Sequence, residues 1–168
     1  MIPTFKKILY ATDLTENAAY AFRYAVSLTQ QHGAKIHILH VLEEIKGNIM
    51  AAYFDMEKLQ EIREKGKEEL KDRIRKRLEI FCQRELMDDP KCRDLVASIE
   101  VVEGDPAAAI LRKADDLKAD VVIMGTHGKG LLSHAFFGSV AEKVLHRIKI
   151  PVFIIPIPQE TDISFSDV

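Results

Sequence analysis

Strand-like apolar runs and helix-period segments take turns along this 168-residue chain, and that alternation restricts its fold more than any other feature. "KKILYATD" is a short apolar run that stops at Thr12 and Asp13, as a buried strand with a polar tip would. Over 17–32, Ala18, Phe22, Ala25, Val26 and Leu28 suit one helix face, and Gly33 supplies a C-terminal stop. "KIHILHVL" reads as the second strand, with Ile36, Ile38 and His40 on one side and His37, Leu39 and Val41 on the other. After an irregular stretch over 43–54, Leu59, Ile62, Gly66, Leu70, Ile74, Leu78 and Phe81 step by three and four. They mark one long amphipathic helix whose other face, of mixed Lys, Arg and Glu, is read as solvated.

"ASIEVVEGDP" is a third strand, closed by Asp105 as N-cap and Pro106 at the first helical position of the third helix. "DVVIMG", apolar throughout, reads as a central fourth strand. A fourth helix follows over 138–148, and "PVFIIP" makes a fifth strand. Prolines at both of its ends place that strand at a sheet edge. Strands and helices in this order imply right-handed crossovers and an open, doubly wound five-stranded parallel sheet with helices on both faces. One domain over 1–156 is expected, followed by a polar tail over 157–168.

Composition excludes several classes. The net charge is −2, with acidic and basic residues interleaved, so a nucleic-acid partner is not expected. No cleavable apolar leader and no membrane-length apolar run is present, which leads us to expect no membrane partner and a cytoplasmic setting. Cys82 and Cys92 are too few and badly spaced for a zinc site or a redox pair, and reduced thiols are expected.

In a sheet of this kind ligands bind beyond the carboxyl ends of the strands, where the strand order reverses. Two strand exits carry unusual chemistry: "ATDLT" after the first strand and "MGTHGKGLLSHAFFGSVAEKVL", from Met124, after the fourth. Gly125 ends a strand where a side chain would crowd a ligand, while Gly128 and Gly130 permit a backbone turn that converges N–H groups. Gly138 and Ser139 open a helix whose first N–H groups suit an anion, and Lys129 adds a mobile charge. A glycine-rich loop with an ordinary helix cap explains the same residues, and the pattern is neither a P-loop nor a dinucleotide fingerprint.

The spacing Gly125-x2-Gly128-x9-Gly138-Ser139 resembles the nucleotide-binding signature of the universal stress protein family. The resemblance extends through "ILYATDLTENA", "HILHVLE", "EGDPAAAIL", "ADVVIMGTHGKG" and "IPVFIIP", in the family's order and over nearly the whole chain. It implies the adenine nucleotide alpha-hydrolase-like arrangement with strand order 3-2-1-4-5. Members with the full glycine pattern bind ATP. By resemblance, Thr12 and Asp13 lie at the nucleoside end, Val41 meets adenine through its backbone, and Met124 and Gly125 border the ribose. Gly128, Gly138, Ser139 and Val140 hold the phosphates, with His127 and Lys129 lining the same loop. Mg2+ is expected only as a passenger on the phosphates. A homodimer through the strand at Val152–Ile155 is implied as well, together with a regulatory protein partner of unknown identity. Leu14-Thr15 departs from the small residue and Ser that many relatives carry after the aspartate.

Other constellations are set aside. His127 and His134 have no Cys, Asp or Glu between them to complete a metal set, and His37 and His40 face opposite sides of one strand. No catalytic set is identifiable, so a regulatory ATP-binding stress-response protein leads. A slow ATPase or nucleotidyl-transfer module and a nucleotide-independent dimeric adaptor are the alternatives.

Overall fold

The computed structural model describes residues 2–15, 18–43, 56–126 and 138–156. Five strands, β1 Lys7–Thr12, β2 Lys35–Leu42, β3 Val96–Glu103, β4 Val121–Gly125 and β5 Val152–Ile155, form one sheet in the order β3-β2-β1-β4-β5. Every neighbouring pair is parallel. The connecting helices are α1 Ala18–His32, α2 Met56–Glu85, α3 Pro106–Leu117 and α4 Ser139–Leu145. The doubly wound sheet and its strand order are those expected, with β5 at an edge.

The period of two along each strand divides the core between the sheet's faces. Ile8, Tyr10, Ile36, Ile38, Val121 and Ile123 pack with Phe22 and Ala25 of α1 and Ile74 and Phe81 of α2. Leu9, Leu39, Val122 and Met124 point the other way, onto Ala107 and Ile110 of α3 and Ala141 and Val144 of α4. Phe22 joins the two helices on its side, its ring 5.0 Å from Phe81 in an edge-on contact and 5.3 Å from Tyr10. At the opposite end from the strand tips, the carboxylate of Asp120 accepts hydrogen bonds from the backbone N–H groups of Lys6 and Lys7, at 2.7 and 2.8 Å. That pair of bonds fixes the start of β1 against the start of β4.

Helix ends follow the local chemistry. Gly33 closes α1 with φ +63°, a conformation that costs glycine little, and its N–H donates to the Thr29 carbonyl. Asp105 caps α3 by accepting from Ala108 N–H at 2.9 Å, with Pro106 in the first turn.

Three expectations change, and one element is added. The fourth helix is shorter, spanning Ser139–Leu145, because the chain tightens into turns in which Arg147 and Ile148 N–H groups both donate to the Val144 carbonyl. Ile62 is 54% exposed, so the buried stripe of α2 runs through Leu59, Ile74, Phe81 and Cys82 instead. A short 3-10 helix, Pro90–Leu95, precedes β3. The thiols are not reduced: Cys82 and Cys92 form a disulfide, both of them buried. Met87 and Asp88, at φ +49° and +56°, reverse the chain after α2 and bring the two Cα atoms to 5.7 Å. No described helix is long and apolar enough to cross a membrane. Most of the 43–54 stretch and all of the 157–168 tail lie outside the described residues.

Candidate functional site

The sheet opens at its carboxyl edge because its halves part company. β1 pairs with β4 only as far as Tyr10 opposite Ile123, whereas β1 continues along β2 to Thr12 opposite His40. β4 meanwhile continues along β5 to Gly125 opposite Ile155. Beyond Tyr10 and Ile123 the two central strands diverge, at the point where chain winding reverses. A cleft of about 490 Å³ lies there, within the usual range for ligand pockets.

Of the residues singled out in the sequence, Thr12 and Asp13 line the cleft from β1, Val41 from β2, and Met124 and Gly125 from β4. Gly138, Ser139 and Val140 line it from the start of α4. The structure therefore brings the exits of β1 and β2 to the exit of β4 and the start of α4, with the β1 exit over a hundred residues from the last two in sequence. Gly138 stands at the N-cap of α4 with no side-chain cap, and its N–H donates to the Thr126 carbonyl at 2.6 Å. Ser139 is exposed beside it. His127, Gly128 and Lys129 lie outside the described residues, as does His134.

The loop after β1 has the most specific geometry. Asp13 Oδ1 accepts from the Thr15 N–H at 3.0 Å and the Thr15 hydroxyl at 2.7 Å. Thr12 Oγ1 accepts from the Leu14 N–H at 3.2 Å. Leu14 sits at φ +61°, in the left-handed region that a leucine rarely adopts. The second carboxylate oxygen of Asp13, Oδ2, is buried and has no hydrogen-bond partner among the described residues. Beneath the loop, the Tyr10 hydroxyl donates to the Ala18 carbonyl at 2.6 Å, and burial pushes its pKa well above the ordinary phenol value.

Two residues with a place in this geometry escaped the sequence reading. His40, 5% exposed, lines the cleft, and its Nδ1 lies 2.8 Å from the Thr12 carbonyl oxygen. Its position beside Val41 at a strand end was the available signal. Arg77 reaches from α2 to the carbonyl oxygens of Leu14, at 2.7 Å, and Thr15, at 3.4 Å. It falls between Ile74 and Leu78, on the border of the apolar stripe rather than on the solvated face. Among the described residues no group of three or more His, Cys, Asp or Glu could hold a metal ion.

The model of the Universal stress protein family matches residues 4–156. The chain belongs to that family. Universal stress protein MJ0577 of Methanocaldococcus jannaschii is 30% identical over 159 residues, covering 90% of this chain and 94% of its own. The solved structure of MJ0577 superposes with a TM-score of 0.61 at 25% identity, covering 94% of this chain and all of its own. Universal stress protein UspA of Lactobacillus plantarum gives a TM-score of 0.71 at 21% identity over 92% of this chain and 99% of its own, a likeness of fold. A further universal stress protein, solved in complex with cAMP, shares the fold with a TM-score of 0.54 at 22% identity over 92% and 98% of the two chains.

Proposed function

We infer that this universal stress protein binds an adenine nucleotide, ATP carrying Mg2+ on its phosphates, in the cleft between β1 and β4. Its role is regulatory: bound nucleotide biases contacts with a second copy or another protein. The observation that carries this reading is Asp13 Oδ2, a buried acceptor with no donor among the described residues, on the wall of the cleft. Leaving such an oxygen unmatched is costly, so the site is completed by a ligand that brings an N–H or O–H group. A ribose hydroxyl or an adenine amine supplies one and an ionised phosphate does not. Asp13 therefore faces the nucleoside, Met124 and Gly125 border the ribose, and the phosphates lie toward Gly138, Ser139 and Val140.

Besides Tyr10, the described ionisable residues lining the cleft are Asp13, His40 and Glu43. Two carboxylates disfavour a bare polyphosphate, and a divalent cation on the phosphates offsets that repulsion. His127, Gly128 and Lys129 complete the phosphate side in this reading. A universal stress protein of this fold has been solved with cAMP, and the glycine spacing in this sequence resembles the family's nucleotide-binding signature. Calorimetry with ATP and Mg2+, repeated with inorganic tripolyphosphate, tests the assignment. Binding of ATP but not of tripolyphosphate supports it, and no binding of millimolar ATP by folded protein refutes it.

A further inference from the structure

The loop that carries Asp13 is a thin partition. On one side Thr12, Asp13 and Thr15 face the cleft. On the other, Thr12, Leu14 and Thr15 border a second, apolar cavity of about 60 Å³, walled by Phe22 and Phe81 and bordered by Arg77. Space on both sides leaves packing less able to fix the loop than in a filled interior. Its local bonds, Leu14 N–H to Thr12 Oγ1 and Thr15 N–H to Asp13 Oδ1, shape the turn but do not anchor it to the rest of the fold. The turn is also strained, because Leu14 holds a left-handed backbone at φ +61°.

His40 Nδ1 meets the loop at its start, on the Thr12 carbonyl; past Thr12, Arg77 is the long-range side-chain anchor. From one turn before Phe81 on α2 its Nη1 donates to the Leu14 carbonyl at 2.7 Å and leans on the Thr15 carbonyl at 3.4 Å. A charged donor makes a stronger bond than a neutral one. Here it falls on the strained residue itself, 63 positions away in sequence. α2 is in turn seated by Phe81 against Phe22 and by Glu85, whose carboxylate takes both Nε and Nη2 of Arg23 from α1.

We propose that Arg77 is a positioning residue for the cleft: by holding Leu14 in its left-handed conformation, it aims at the ligand the Asp13 carboxylate oxygen that has no partner among the described residues. Its effect on affinity rests on the nucleotide reading above, whereas its effect on the loop does not. The test has one arm for each.

In nucleotide-free protein, amide exchange at Leu14 and Thr15 is measured for wild type and Arg77→Met, which keeps an apolar stem and removes the donors. Exchange at these two amides rises about tenfold, as expected for loss of a charge-assisted bond, while amides in the sheet keep their rates. In parallel, calorimetry with ATP and Mg2+ shows about tenfold weaker binding for Arg77→Met. Arg77→Lys, which keeps a charged donor, recovers most of it. In a Leu14→Gly background, where the left-handed backbone carries little strain, the same Arg77→Met change costs threefold or less. Should Arg77→Met fail to fold, Arg77→Gln is read by the same criteria.

Wild-type exchange at Leu14 and Thr15 in the variant overturns the proposal, as does an equal loss of affinity in both Leu14 backgrounds. If wild-type protein binds no ATP, the nucleotide reading falls, and the exchange arm alone decides the role of Arg77.

Discussion

The Nδ1 of His40 lies 2.8 Å from the carbonyl oxygen of Thr12, joining the exits of β2 and β1 at the cleft. A carbonyl only accepts, so Nδ1 carries the proton and, in the neutral ring, Nε2 is an acceptor. His40→Phe keeps the bulk and removes the donor, leaving a half-buried carbonyl unmatched. We expect unfolding free energy to fall by about 1–3 kcal/mol in urea titrations with an unchanged slope. An unaltered midpoint would show that this bond does not hold the strand ends together.

Reduction of Cys82–Cys92 should also destabilise the protein. The bridge closes a loop with a sequence separation of 10, for which constraint of the unfolded chain is worth about 2–3 kcal/mol. A paired Cys82→Ser, Cys92→Ser variant should melt lower than the oxidised protein, and dithiol reductant should lower only the wild-type melting temperature. Identical melting with and without reductant would contradict the bridge's contribution.

Helix faces and the parallel, doubly wound sheet were legible because they follow from local periodicity and the chirality of crossovers, whereas the strand order, and with it the pairing of β1 and β4 at the cleft, came from the family resemblance. Asp105, Pro106 and Gly33 took the positions their local chemistry dictates. The disulfide was not legible. A spacing of ten across a helix end brings two sulfurs together only if the chain reverses at once, and it does so through Met87 and Asp88, non-glycine residues in left-handed conformations. Nor did periodicity distinguish Arg77 from the solvated charges around it. It donates to the backbone carbonyls of Leu14 and Thr15, and backbone acceptors leave no mark on residue type.

His37 sets a pH dependence. Burial, then the nearby Lys113 and Lys7 charges, lower its pKa below the ordinary histidine value, with Glu100 opposing them. Its Nδ1 lies 2.8 Å from the Ser98 hydroxyl oxygen. The folded state therefore binds this proton less readily than the unfolded chain. The associated stability is complete above the ordinary histidine value of about 6.5 and declines as pH falls through the lowered one. Melting temperatures between about pH 7.5 and 5 should fall less in His37→Gln than in wild type. Parallel curves would remove His37 as the cause.

Among the described residues no strand pairs with the outer edge of β5. Val122 and Thr126 N–H groups donate to the carbonyls of Pro151 and Ile155. By the strand's period of two, the backbone groups of Val152 and Ile154 face away from β4. We propose that a second copy pairs there, since an uncovered apolar edge invites association. Phe153→Lys is a poor probe, because Phe153 packs edge-on against Phe5 within the same chain, at 6.2 Å. Ile154→Pro acts on the edge itself. Light scattering should find wild-type dimer and a variant shifted to monomer, and a monomeric wild type at micromolar concentration would exclude the interface.

The central claim concerns Asp13, and titration calorimetry of ATP with Mg2+ into wild-type protein and Asp13→Asn tests it most directly. Asparagine is close in shape but has one acceptor oxygen where the carboxylate has two. If Oδ1 remains the acceptor for Thr15, a donor amide replaces Oδ2 in the cleft. The account predicts saturable one-site binding by wild type, weakened at least about tenfold in Asp13→Asn and lost on chelation of Mg2+. Equal affinities for the two proteins, or no heat of binding at millimolar ATP, would contradict it.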